Sequence, residues 1–425
     1  MSRRAALPPL PVRHVDPAAR PAPEPTPRSA LARRWAALPA WARVTVIYVV
    51  TRLLTTAMML VYAQRQEDTW QIEAQPDYFR FATIWDGAWY QRIAYGGYPT
   101  ELPVNDEGRV TENAWAFMPV YPMVVRAAML LPGLGYEVAA VAVSLVAGLG
   151  AMLALHRLLR RFAGEGVATF AVLLVCLGPV SPMFQVGYAE ALHFWMLVVL
   201  LELLVDRRWW EMLPLVVVAS LTRPTGLAWA FALLLVILHR YWTSRVRRLE
   251  RFDAAEQRAA WSVAIASGVA GLLWLAACAI ATGELFGYLD TEFAWRHHYT
   301  GGEHTPPFTP WFWAGEFWFG QPWGTLAVLA ALAVAIVWFA DPVMRRFGIE
   351  LRMWGIAYFS YLFAVFYPQS SIFRLLLPLF PAVVGPLALP RSPLYRVAVP
   401  LVAVVAQVVW FHWMWFVIGH DWTPP

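Results

Sequence analysis

Four ionisable residues stand in largely apolar or aromatic surroundings, and their types suit proton transfer beside a bound anion. Asp86 lies in Ile84-Trp85-Asp86-Gly87-Ala88-Trp89-Tyr90-Gln91-Arg92-Ile93-Ala94, and Glu190 follows Gly187-Tyr188-Ala189. Arg223 opens Arg223-Pro224-Thr225-Gly226, and Arg374 precedes Leu377-Pro378-Leu379-Phe380-Pro381. An ionisable side chain at membrane depth costs ~2.5–3.5 kcal/mol on insertion scales, so each is a functional candidate by default. A carboxylate takes the proton of an attacking hydroxyl. Two arginines on one face grip an anion through charge-assisted, often bidentate bonds. Structural duties fit the same residues: Asp86 would cap an aromatic-belt helix or pair with Arg92. Glu190 would sit favourably at a helix N-terminus, and Arg223 and Arg374 would pair with a carboxylate or a helix C-terminus at a turn.

A second constellation is Trp295-Arg296-His297-His298-Tyr299 followed by His304. The spacing matches no standard zinc motif, and neither CxxC nor HExxH occurs. His297 and His298 are better suited to hydrogen bonding a polar ligand, so no cofactor is implied and a divalent metal has no support. The aromatic stretch 308–323 fits either stacking on sugar rings or seating in lipid headgroups. Cys176 and Cys278 each lie deep in an apolar run and behave as small hydrophobes.

The elements that must carry these residues are membrane helices. Hydrophobic residues make up 59% of the 425 and charged residues 14%, where a soluble domain has roughly 45–50% and 25%. The apolar runs are long enough to approach or cross a hydrocarbon core of ~30 Å at ~1.5 Å per residue. All 33 basic residues are Arg. A GC-rich genome explains this together with the abundance of Ala, Gly and Pro, so the net charge of +5 is no argument for nucleic acid.

Charge placement predicts the topology. Residues 1–38 form a basic Pro/Ala/Arg-rich tail with no apolar period, expected to be disordered and cytoplasmic. Residues 39–425 form one transmembrane domain, beginning with the uncleaved anchor Val44–Tyr62. Arginine clusters at 3–43, 157–161, 207–208, 240–258, 345–352 and 391–396 hold 24 of the 33 arginines and are assigned to the cytoplasm. Stretches between clusters then cross an even number of times, with turns near 178–187, at the breaker 222–226 and around 367–374. The segment 114–131 contains Pro119, Pro122 and Arg126 and reads as a surface-lying or re-entrant piece. The expected fold is an all-α polytopic membrane protein of about eleven crossings (roughly ten to twelve) with an outer C-terminus. Two large outer loops, 64–137 and 283–323, hold most of the mass outside the membrane. This places Asp86, Glu190, Arg223 and Arg374 on one, non-cytoplasmic side.

The motifs resemble the PIG-V mannosyltransferases. Trp85-Asp86-Gly87-Ala88-Trp89-Tyr90, running on to Ile93-Ala94-Tyr95-Gly96-Gly97-Tyr98, is similar to that family's first-loop signature. Phe117-Met118-Pro119-Val120-Tyr121-Pro122, Tyr188-Ala189-Glu190, Arg223-Pro224-Thr225-Gly226 and Arg374 before the Leu-Pro-Leu-Phe-Pro run follow in the family's order across 85–381. Met118 departs from the usual aromatic, and the second outer loop shows no match, so His297 and His298 inherit no role.

The resemblance implies a GT-C-type glycosyltransferase that takes mannose from a polyprenyl-phosphate donor by an inverting mechanism. Asp86 would be the general base, and Arg223 and Arg374 would bind the donor phosphate. Trp85, Trp89, Tyr90, Tyr121 and Glu190, with His297 and His298, would shape the substrate pocket. The composition suggests a bacterial relative in the plasma membrane, acting at the extracytoplasmic face on a glycolipid, lipoglycan or protein acceptor. A transporter or flippase of lipid-linked sugars is the alternative, since broken helices with buried arginines also build transport sites. Transporters, however, often carry internal repeats, and none is evident here.

Overall fold

The computed structural model describes residues 30–301 and 305–418, so most of the basic tail and His304 lie outside the described residues. The chain divides into units 1–43 and 44–425. The described part of the first is the helix Ala30–Ala37 and the opening turn of the helix Ala40–Arg65. The second unit carries everything discussed below.

Among the described residues the fold is all-α, with one isolated bridge between Val104 and Val110. Six helices are long and apolar enough to cross a membrane: Ala40–Arg65, Tyr136–Ala163, Gly226–Val246, Ala254–Thr282, Trp323–Ala340 and Pro393–Trp415. Other expected crossings are shorter: Glu165–Leu177 has 13 residues, Glu190–Val205 has 16 and Trp209–Ser220 has 12. Among the described residues six helices therefore reach full crossing length, against the expected eleven, and several other apolar helices are shorter. The reason is local, because breakers at 178–187 and 222–225 stop helices before ~20 residues are reached.

Each break leaves helix-end carbonyls without intrahelical partners, and buried side chains supply them. At the end of the Glu165 helix, Arg52 donates through Nη2 to the Cys176 carbonyl and through Nη1 to the Ser181 carbonyl, both at 2.6 Å. Gln407 Nε2 donates to the Gly178 carbonyl at 3.2 Å. Elsewhere the ends are conventional: Asp253 caps the Ala254 helix by accepting from Glu256 N at 2.9 Å, and Gly283 closes it at φ 76°.

Several arginine clusters gather at one end of the bundle. Arg157 pairs with Glu202 at 2.8 Å, Arg161 pairs with Asp206, and Arg207 pairs with Glu250 at 2.6 Å. Arg240 joins Glu250 and Glu256. Glu202 and Glu190 occupy the same helix, twelve residues and so about 18 Å apart. The arginine-rich end and the Glu190 end are thus well separated.

The segment 64–137 differs from expectation in one respect. The helix that Asp86 begins does not form an aromatic belt: Trp85 and Ile93 are buried in protein and Trp89 is half-buried. Tyr90, Ile93 and Ala94 pack against Tyr121, Val125 and Tyr136, so the Asp86–Gly96 helix is held by protein rather than by headgroups. Residues 114–131 form a short 3-10 turn, Ala114–Ala116, and a helix Val120–Ala128 of nine residues. Nine residues span only about 14 Å. Val120 N donates to the Leu221 carbonyl at 3.1 Å, tying this segment to the breaker that carries Arg223.

Candidate active site

The segment around Asp86 and the 178–190 turn meet back to back. Gly187 N donates to the Ala82 carbonyl at 2.8 Å, Asp86 N donates to Tyr188 Oη at 3.1 Å, and Tyr136 Oη donates to the Gly87 carbonyl at 2.9 Å. Gly187 permits the approach, since a Cβ there would come within 2.8 Å of Thr83 Cγ2. Trp85 precedes Asp86 at φ 58°, a left-handed conformation that costs a non-glycine residue on the order of 1 kcal/mol or more. Its indole Nε1 donates to the Trp415 carbonyl at 3.1 Å and its ring meets Trp70 edge-on. This packing holds the strained residue and starts the helix with Asp86 turned to the interior.

Four charged residues then converge. Arg374 Nη1 lies 2.8 Å from Asp86 Oδ2 and 2.8 Å from Glu190 Oε1, and Arg223 Nη1 lies 3.1 Å from the same Glu190 oxygen. Glu190 is 4% exposed and Asp86 8%, and the arginine pair offsets the cost of burying two carboxylates here. Arg374 also sits over the Tyr188 ring at 5.5 Å. Among the described residues Arg374 Nε and Glu190 Oε2 are buried without a hydrogen-bond partner. Burial pushes the Asp86 carboxyl above the usual carboxylate range; Arg374 and Arg223 pull it back and Glu190 pushes it further up.

This cluster forms one wall of a cavity of about 560 Å³, within the ordinary range for small-molecule sites. Tyr90, His193 and Thr225 extend the polar wall, His193 Nε2 lying 3.0 Å from Thr225 Oγ1. Leu275, Leu362 and Phe366 supply apolar lining, and Leu227, Leu272 and Leu289 line the cavity and are exposed. A third group enters from the helix Gly287–Ala294 and the residues after it: Tyr288, Glu292 and Arg296. Burial pushes the Glu292 carboxyl up and lowers Arg296, while each draws the other back toward charge.

Of the residues singled out in the sequence, Asp86, Tyr90, Glu190, Arg223 and Arg374 line this cavity. Asp86 pairs with Arg374 rather than with Arg92, whose guanidinium lies over the Trp89 ring at 4.5 Å. Trp85, Trp89, Tyr121 and His297 do not line it. Trp89 stacks on Phe117 at 5.8 Å, and Tyr121 Oη donates to the Ala140 carbonyl at 3.1 Å, so both support the wall from behind. The His298 side chain lies outside the described residues. Sequence reasoning missed Tyr288, Glu292, Tyr358 and Tyr361, and gave Arg296 no role. The signal was present in the i, i+4, i+8 spacing of Tyr288, Glu292 and Arg296, a polar stripe overshadowed by the neighbouring histidines.

No family model matches the chain, and no curated protein matches it, so the resemblance to the PIG-V family stands on its motifs. Among solved structures the chain is similar to ArnT from Cupriavidus metallidurans in the apo state, at 18% identity and a TM-score of 0.43, over 83% of this chain and 61% of that one. It is similar to the same protein bound to undecaprenyl phosphate at 17% identity and a TM-score of 0.47, over 86% of this chain and 63% of that one. The archaeal oligosaccharyltransferase AglB from Archaeoglobus fulgidus, in complex with an inhibitory peptide and a dolichol-phosphate, is similar at 13% identity and a TM-score of 0.39, over 86% of this chain and 54% of that one. The chain thus spans less than two thirds of the length of each.

Proposed function

We propose that the protein is a membrane glycosyltransferase that moves a sugar, mannose by its motif resemblance, from a polyprenyl-phosphate donor to a glycolipid, lipoglycan or protein acceptor. The observation that carries this reading is the meeting of Asp86, Glu190, Arg223 and Arg374 in one cavity whose edge is apolar. A soluble anion would need only the arginines. A lipid-linked anion also needs an apolar approach, which the exposed cavity-lining leucines Leu227, Leu272 and Leu289 offer.

The chemistry balances on these groups. The acceptor oxygen forms a bond to C1 of the donor sugar as the bond from C1 to the phosphate oxygen breaks, with inversion at C1. The hydroxyl proton passes to the Asp86 carboxylate, and the phosphate leaves with one more negative charge. Cluster and ligand together keep their net charge, because Asp86 is neutralised as the phosphate gains its charge. Arg223 and Arg374 stand where that leaving charge is stabilised, and Glu190 keeps both guanidiniums in place between turnovers. The unpartnered Arg374 Nε is a donor that such a ligand would satisfy. The separation of this cluster from the arginine-rich end supports work at the extracytoplasmic face of a plasma membrane, with a cytoplasmic N-terminus.

Asp86→Asn keeps the shape and removes the base. Transfer of labelled mannose from undecaprenyl-phosphate mannose to membrane lipid extracts should fall at least ~10²-fold, with unchanged accumulation in membranes. Full transfer by this variant sinks the role given to Asp86. If the wild type moves a lipid-linked sugar across vesicles and forms no glycosidic bond, transport replaces transfer.

A further inference from the structure

The catalytic reading uses the four-charge cluster and leaves the polar group from the 283–323 segment without a task. Tyr288 and Glu292 are four residues apart on the Gly287–Ala294 helix and so share one face, Arg296 follows two residues past its end, and all three line the cavity. That helix is pinned in place. Asn113 Nδ2 donates to Thr291 Oγ1 at 2.9 Å, and Tyr288 packs with Trp115, Met118, Trp274 and Cys278. Gly287 is pressed so closely that a Cβ would come within 2.8 Å of Leu102 Cδ1. The polar stripe is thus held against the cavity by the same 113–118 segment that is tied to the Arg223 breaker.

A simple stabilising ion pair does not account for the stripe. Among the described residues no contact within 4.0 Å joins the Glu292 carboxylate to the Arg296 guanidinium, and Arg296 Nη1 instead donates to the Val365 carbonyl at 3.0 Å. A carboxylate turned to a cavity with a phenol beside it is an acceptor–donor set suited to neighbouring hydroxyls. Nothing in it suits a polyprenyl chain, and its carboxylate repels a phosphate, whose charge belongs with Arg223 and Arg374.

Resting on the transferase reading above, we propose that Tyr288, Glu292 and Arg296 form the carbohydrate-reading wall of the cavity, hydrogen bonding ring hydroxyls of the bound sugar. These are specificity-determining contacts with a polyol, separate from the proton transfer at Asp86. A buried site built to bond a hydroxyl rejects an analogue that lacks it, because its own polar groups are then left unpaired.

The test uses the full chain in lipid nanodiscs, with undecaprenyl-phosphate mannose and its 2-, 3-, 4- and 6-deoxy forms as donors. Octyl α-mannoside and its deoxy forms serve as acceptors. The wild type should discriminate against at least one deoxy form in one series, and Glu292→Gln and Tyr288→Phe should each shrink that discrimination about tenfold. The series in which discrimination falls tells whether the wall reads donor or acceptor sugar. Tyr288→Phe removes one hydroxyl only, so it keeps the test intact if Glu292→Gln folds poorly. Discrimination that survives unchanged in active variants overturns the wall's role while leaving the transferase standing. Absence of any transfer by the wild type overturns the transferase reading and this wall with it.

Discussion

At the scale of single residues, the four-charge cluster sets opposing demands on Asp86. A carboxylate base works only when deprotonated, so activity is lost as pH falls through its pKa. Burial raises that pKa, which puts the acid limb of transfer above the ~3.9 of an ordinary aspartate. The neighbours move it in known directions: Arg374 lowers it and Glu190 raises it. Arg374→Gln should therefore shift the acid limb of kcat/KM to higher pH, and Glu190→Gln should shift it to lower pH. Single-turnover transfer across a pH series measures both. Shifts of the same sign in the two variants would show that Asp86 is not the group being titrated.

At the scale of elements, the site depends on short helices meeting at breakers, and small residues let them meet. The Gly226 helix begins three residues after Arg223 and crosses the Ala254 helix backbone to backbone. A Cβ on Gly226 would lie 2.5 Å from Gly271 N, whereas one on Gly268 would meet Ala230 Cβ at an ordinary 3.7 Å. Membrane helices associate through such close packing because lipid offers no hydrophobic drive between them. Gly226→Ala should cost about 1–3 kcal/mol of stability, read as a lower midpoint of thermal unfolding in detergent. It should also reduce transfer, since the backbone that moves carries Arg223. Gly268→Ala should change neither, and equal loss in the two variants would rule out the crossing as the cause. The breaker Thr222–Gly226 was legible in the sequence; the crossing was not, because partner glycines 45 positions apart share no local signature.

At the scale of the whole molecule, the arginine-rich end and the Asp86 cluster should face opposite sides of the membrane. Glu101 and Arg245 are both exposed, and the two native cysteines are buried, so introduced cysteines report orientation over little background. In intact cells Glu101→Cys should react with a membrane-impermeant maleimide, and Arg245→Cys should react only after permeabilisation. The reverse pattern would place the chemistry in the cytoplasm. The all-helical membrane class and the direction of the charge bias were readable from composition and arginine placement. The number of full-length crossings was not, because helix length depends on where buried groups such as Arg52 and Gln407 satisfy a broken end.

The sequence by itself determined the helical membrane class, the breakers and the list of isolated charges, because each rests on local composition or on residues adjacent in the chain. It named Asp86, Glu190, Arg223 and Arg374 as candidates but left each with a bland alternative. Only the tertiary structure decided that they touch, that Arg374 and not Arg92 answers Asp86, and that Trp85 and Tyr121 stand behind the wall. It also brought in Tyr288, Glu292 and Arg296. Those facts turn on which helix ends meet, and contacts such as Asp86–Arg374, 288 positions apart, follow from the packing of the entire bundle rather than from any stretch of it.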